Sequence, residues 1–297
     1  MPEKNIEVNF IGIGAARAAS TWIYSCLKEH PQICVSKDKE FNLFDDQYQL
    51  KKPAKIRKQF DRCNPDQIKG IYTPFYLAFD EKIPVAIKEN LPDTKIIACL
   101  REPVERAYSH YLLEKSIGKN VSFEEAIKEL PKIINYGLYH KHLSKYFDLF
   151  PKDNIFIILY NDIKENPLKS IQAIYRFLKV NPNFTPEQFK TIINPTTEKR
   201  LKFSFINKIQ PIELKKSKLG YLLIKTLKAL GFNHATYKKI KKWNSKNIHK
   251  IKADNKIDNK ILIKKGTKEY LKKIYQEDIN NLEKLINRDL SSWKKHE

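Results

Sequence analysis

The chain has 297 residues, 41% of them hydrophobic, which is enough to bury a sizeable core and excludes a disordered reading. One enlarged α/β domain with an appendage is the simplest arrangement. The formal net charge of +22 has two accounts of equal weight: a field that concentrates anionic ligands (nucleotide, acidic glycan, nucleic acid or lipid head group), or genome composition, since much of the excess is Lys among Asn and Ile.

Cys26, Cys34, Cys63 and Cys99 show neither CxxC nor Cys/His spacing, so neither a zinc site nor a disulfide framework is expected, and a reducing cytoplasm suits them best. No run reaches membrane-span length, and residues 1–9 carry Glu3, Lys4 and Glu7 where a signal sequence would be apolar. A cytoplasmic protein, soluble or peripheral to a membrane, is expected.

In chain order, the apolar run 8–13 ends at Gly14 and is followed by a small-residue loop and a helix with Trp22, Ile23, Cys26 and Leu27 on one face. Pro31 stops that helix, residues 33–35 read as a second short strand, and residues 37–46 form a polar and aromatic loop. A short helix is predicted over 84–91. A β-branched strand over 95–100 stops at Arg101, and Glu102-Pro103 opens the next helix, proline being tolerated in a first turn. Helices follow over 123–130 and 139–150, a fully apolar strand over 155–160, and an amphipathic helix over 167–178. Residues 201–259 are Lys-rich around a helix that stops near Gly231, and helical periodicity returns over 270–293. Nearly continuous apolar strands separated by helices indicate a parallel sheet covered on both faces, whose ligands bind beyond the carboxyl ends of the strands.

Two segments begin where predicted strands end. In residues 12–22, GIGAARAASTW, small residues around one arginine let backbone amides approach a ligand, and the helix start attracts anions through free N–H groups and the dipole. The competing account is an ordinary strand-to-helix turn in which Ser20 caps the helix. A nucleoside triphosphatase loop would need GxxxxGK[ST], and no Lys precedes Ser20 or Thr21. In the second segment, residues 100–111, LREPVERAYSHY, Arg101 at the strand end and Ser109 in the helix can converge on one phosphate. The competing account there is a surface helix in which Arg106 pairs with Glu102 or Glu105; His110 reads as a packed residue.

With Ala16-Arg17-Ala18-Ala19-Ser20-Thr21-Trp22 and the LRxPxxRxxSxY pattern at Arg101, the chain resembles the PAPS-dependent sulfotransferases, whose loop reads PKSGTTW or PRSGTTW. Ala19 stands where that family usually has glycine. The resemblance continues through residues 91–97, Tyr160-Asn161-Asp162-Ile163, Asn166-Pro167 and the closing Asn287-Arg288-Asp289-Leu290-Ser291-Ser292-Trp293, and is weakest over 201–260. Lys39-Glu40-Phe41-Asn42-Leu43-Phe44 resembles the KExxFF segment of the heparan sulfate-type and bacterial branch, and Thr73-Pro74-Phe75-Tyr76-Leu77 its SPxYL segment.

The resemblance implies a P-loop-like central parallel sheet flanked by helices with a helical C-terminal part: a PAPS-binding core over 1–200, a basic, mainly helical insertion over 201–260, and a helical closure over 261–297. It implies Arg17 and Glu40 as catalytic residues, Glu40 as general base with Phe41 and Phe44 as a drier wall. Arg17, Ala18, Ala19, Ser20, Thr21, Trp22, Arg101 and Ser109 would bind PAPS, and Lys39, Phe41, Thr73 and Tyr76 the acceptor, a hydroxyl, with carbohydrate the leading class. No metal and no nucleic-acid partner are expected. Tyr160 reads equally well as a nucleotide contact or a packed strand residue. The rival reading is a basic protein for nucleic acid or anionic membranes, built around residues 215–242 with Tyr221, Phe232, Tyr237 and Trp243 among lysines; a homologue that binds the product PAP without turnover is a third. Residues 201–260 could also touch an anionic membrane peripherally. Oligomeric state stays open.

Overall fold

The computed structural model describes residues 7–116, 121–190, 199–200, 249–250 and 263–294. The expected basic helix within 201–260 therefore falls outside the described residues, apart from a two-residue strand. The chain divides into two compact units, one of Met1–Tyr108, Ile127–Pro195 and Ile263–Glu297, the other of Ser109–Ala126 and Thr196–Leu262.

The first unit is built on β1 (Phe10–Gly14), β2 (Ile33–Val35), β3 (Ile68–Tyr72), β4 (Lys95–Leu100) and β5 (Ile155–Leu159), in the spatial order β2-β3-β1-β4-β5. All four pairings are parallel. Such a sheet must be covered on both faces, and several of the helices that follow show their apolar periodicity in the sequence. Helix α1 (Ser20–Glu29) buries Trp22, Ile23, Cys26 and Leu27. Next come α2 (Pro53–Phe60), α3 (Ile83–Asn90) and α4 (Pro103–Ser116). They are followed by α5 (Phe123–Glu129), α6 (Lys132–Asn135), α7 (Tyr139–Leu149), α8 (Tyr160–Glu165) and α9 (Pro167–Leu178). Helix α9 packs on Ile171, Ile174, Tyr175 and Leu178. The C-terminal helix α10 (Lys265–Ile286) stops at Asn287, which takes the left-handed conformation common just past helix ends, and α11 (Ser291–Lys294) follows. In the second unit, Lys199–Arg200 pairs antiparallel with His249–Lys250.

Two features differ from expectation. The first is β3, which no continuous apolar run announces because Lys69 and Gly70 interrupt it. Gly70 is there for space: a Cβ at this position would lie 2.0 Å from the Phe10 ring of β1. Gly12 answers in the same way to Tyr72, whose ring would sit 2.3 Å from an added Cβ, so β1 and β3 each carry a glycine under the other's aromatic ring. The second is a disulfide joining Cys34 in β2 to Cys63 after α2, with Cα atoms 5.7 Å apart. The expectation of four separate thiols is thus corrected; Cys26 and Cys99 are buried free thiols, both held protonated by burial.

The strand order places the site. The chain leaves β1 towards β2 on one side and leaves β4 towards β5 on the other, so the neighbouring strands β1 and β4 flank a point where the winding reverses. Crevices at such points, beyond the carboxyl ends of the strands, are where ligands bind in open α/β sheets. The Ala15 N–H donates to the Cys99 carbonyl over 2.7 Å, fastening the loop after β1 to the end of β4.

Candidate active site

The loop after β1 turns through two residues with left-handed backbone, Arg17 (φ 73°) and Ala19 (φ 57°), before α1 begins at Ser20. Ala18, Ala19, Ser20 and Trp22 are buried, and Thr21 is exposed. Small side chains keep this loop thin, and the first amides of a helix have no acceptor within it. No side chain caps α1, so Ser20 does not play the capping role that an ordinary turn would give it.

Arg17 is half-buried, and its pKa is pushed below the ordinary arginine value, by burial first and then by the positive charges of Arg101 and Arg106. The positive charge at the end of β4 is thus felt at the guanidinium of the first loop. Like charges held together in a partly dry site are costly unless an anion joins them.

Arg101 is 15% exposed. Its Nε and Nη2 donate to Glu105 Oε2 over 3.0 and 2.9 Å, and its Cζ lies 4.7 Å from the centroid of the Tyr160 ring. The Tyr139 hydroxyl donates to the Arg101 carbonyl over 2.8 Å, and the Tyr139 ring packs on Trp293, 6.1 Å between centroids. Arg288 pairs with Asp162 at 2.9 Å, tying the closing NRDLSSW segment to α8. Arg106 is no surface residue: it is fully buried and donates to the Ile133 carbonyl. The account in which it pairs on a solvated helix face is thereby corrected. Glu102 caps α4, accepting from the Val104 and Glu105 amides over 3.1 and 2.6 Å. Ser109 is buried on the same helix, in the second unit, and His110 is buried beside Glu114 at 3.6 Å.

On the other side, Lys39 Nζ donates to Ser20 Oγ over 3.5 Å and to Glu40 Oε1 over 3.2 Å. One ammonium thus links the start of α1 to the carboxylate of the next loop. Glu40 is 51% exposed, and Phe44, expected as its dry wall, is wholly buried against the Tyr76 ring, 6.2 Å between centroids. Phe41 stays partly open. The Thr73 hydroxyl donates to the Phe41 carbonyl over 2.9 Å; the Tyr76 hydroxyl donates to Asn42 Oδ1 over 2.6 Å and accepts from the Leu43 amide over 2.7 Å. Both side chains hold the loop. Sequence reading missed Glu105 and Tyr139, and left Tyr160 open: the i,i+4 spacing of Arg101 and Glu105 was visible, whereas the two tyrosines reach Arg101 only through the fold.

An open parallel sheet whose winding reverses between β1 and β4 defines a doubly wound α/β protein. Residues 11–220 match the model of the sulfotransferase domain, and the chain belongs to that family. It is 25% identical over 198 residues to mouse heparan sulfate glucosamine 3-O-sulfotransferase 5, covering 62% of this chain and 56% of that protein. It is 31% identical over 117 residues to the Drosophila melanogaster bifunctional heparan sulfate N-deacetylase/N-sulfotransferase, covering 34% of this chain and 11% of that one. The chain thus spans little more than half the length of the first of these relatives. The crystal structure of a sulfotransferase from Alicyclobacillus acidocaldarius shares the fold with a TM-score of 0.65 at 19% identity, covering 98% of this chain and 100% of that one.

Proposed function

We propose that the protein transfers a sulfuryl group from 3′-phosphoadenosine 5′-phosphosulfate (PAPS) to an acceptor hydroxyl, and that the acceptor is a carbohydrate. The observation that carries this reading is the array around the crevice: Arg17 under the electrostatic influence of Arg101, and Lys39 joining Ser20 to Glu40. Family membership and the names of the heparan sulfate relatives support it. Arg17 and the amides of residues 18–22 would receive the phosphosulfate, and Arg101, with Ser109 by its place in the motif, the 3′-phosphate.

In the transfer, the acceptor oxygen forms a bond to sulfur as the bond from sulfur to the 5′-phosphate oxygen breaks. The hydroxyl proton passes to Glu40, and PAP leaves. Positioning and charge stabilisation supply most of the rate in such group transfers. Lys39 would steady the sulfate oxygens or the acceptor. Thr73 and Tyr76, whose hydroxyls are committed to the loop, serve the acceptor side by holding Phe41 and Asn42 in place.

The test is thermal stabilisation by PAP compared with AMP and ATP, followed by labelled-sulfate transfer from PAPS to a panel of glycans. Stabilisation selective for PAP, with transfer reduced on the order of 100-fold or more in Arg17→Ala, is expected. Normal transfer in that variant would reject the assignment.

A further inference from the structure

Arg101 is held on more sides than a phosphate-binding arginine requires. Its Nε and Nη2 converge on one oxygen of Glu105, its face lies over Tyr160, and its own carbonyl is fixed by the Tyr139 hydroxyl. These partners come from three elements, α4, α8 and α7. Among the described residues Nη1 makes no hydrogen bond, so one edge of the planar fork is occupied and another is left open. A guanidinium grips a phosphate well when its plane is fixed beforehand, because the ordering is already done before the ligand arrives.

We infer that Glu105 and Tyr160 are positioning residues that fix the plane of Arg101 and thereby determine selectivity for a nucleotide carrying a 3′-phosphate over one with a 3′-hydroxyl. The inference rests on the proposed PAPS reading. The positive charges of Arg101 and Arg106 both bear on Arg17. An unanchored Arg101 would be biased away from Arg17 by like-charge repulsion. Glu105 opposes that drift by drawing Arg101 to a carboxylate on the first turn of α4, and the Tyr160 ring adds a cation–π contact on its face. A nucleotide without the 3′-phosphate would gain little from the open edge, so the benefit of orientation appears only in the phosphorylated one.

The experiment is calorimetric titration of the full chain with PAP and with AMP, for the wild type, Glu105→Ala and Glu105→Gln. In Glu105→Ala the affinity for PAP is expected to fall about 10-fold while that for AMP changes less than about 2-fold. Glu105→Gln, which keeps an acceptor oxygen for Arg101, is expected to restore most of the preference. A merely structural role would lower both affinities together and the unliganded melting temperature with them; that result overturns the inference. So does Glu105→Ala binding PAP as tightly as, or more tightly than, the wild type, because the carboxylate would then only compete with the phosphate. A wild type that does not distinguish PAP from AMP would overturn the PAPS reading itself, and the inference with it.

Discussion

At Ala19 the backbone is left-handed at the position where related loops carry glycine. A Cβ in that region costs roughly 1 kcal/mol, part of which glycine would give back through its freer unfolded state. Ala19→Gly is therefore expected to raise stability by up to about 1 kcal/mol, read by chemical denaturation; a loss of stability would show that the loop gains more from the methyl group than it spends on the conformation. The departure from the family pattern was legible in the sequence, but its cost depends on a φ value that spacing does not disclose. Glu40 is a different case, since its residue type and neighbours marked it while its setting did not: the carboxylate is half exposed and paired with Lys39. Glu40→Gln should lower turnover about 100-fold with PAP affinity unchanged. Weakened PAP binding at normal turnover would contradict a role in proton removal.

The loop that carries Lys39 and Glu40 is anchored by the end of α2. The Lys37 amide donates to the Gln59 carbonyl over 3.1 Å, the Asp38 amide to Gln59 Oε1 over 3.0 Å, and Gln59 Nε2 to Asp38 Oδ2 over 3.0 Å. Arg62 adds bonds to the Val35 and Gln59 carbonyls, and the disulfide from Cys34 to Cys63 closes the same bracket covalently. None of this was legible in the sequence, because the two cysteines lie 29 residues apart without a motif and α2 presents few apolar residues. Closing a loop of that length is worth about 3.5 kcal/mol through the unfolded chain. Cys34→Ser with Cys63→Ser should lose about that much, and a reducing agent should lower the denaturation midpoint of the wild type alone. Equal midpoints with and without reductant would remove the bracket from the stability of this element.

At the scale of the whole molecule, apolar runs and helical periodicity identified four of the five sheet strands and most of the helices around them. Strand order was beyond such reasoning, since it depends on which crossover each helix makes, and β3 escaped because its glycine serves the Phe10 ring. What ties distant parts of the first unit together is equally hard to read from sequence, and His30 is the clearest case. It follows α1, yet its ring packs on Tyr175 of α9 and on Phe184, with centroids 4.5 and 4.9 Å away. The Gln32 amide donates to Nδ1 over 3.1 Å, so Nδ1 is an acceptor, and Nε2 carries the proton given to the Asn181 carbonyl over 3.0 Å. The ring is thus neutral, and burial lowers its pKa, an effect only partly opposed by the bond to Asn181. With the folded value below the unfolded one of about 6.5, the two states bind protons alike at high pH, and the unfolded chain binds more as pH falls. The stability held at His30 is therefore complete above about pH 6.5 and is lost progressively below it. Thermal unfolding at pH 7.5 and 5.5 should show a drop in the wild type that is smaller in His30→Gln, although that variant starts from a lower melting temperature. Identical drops in the two proteins would mean that groups other than His30 carry the acid sensitivity.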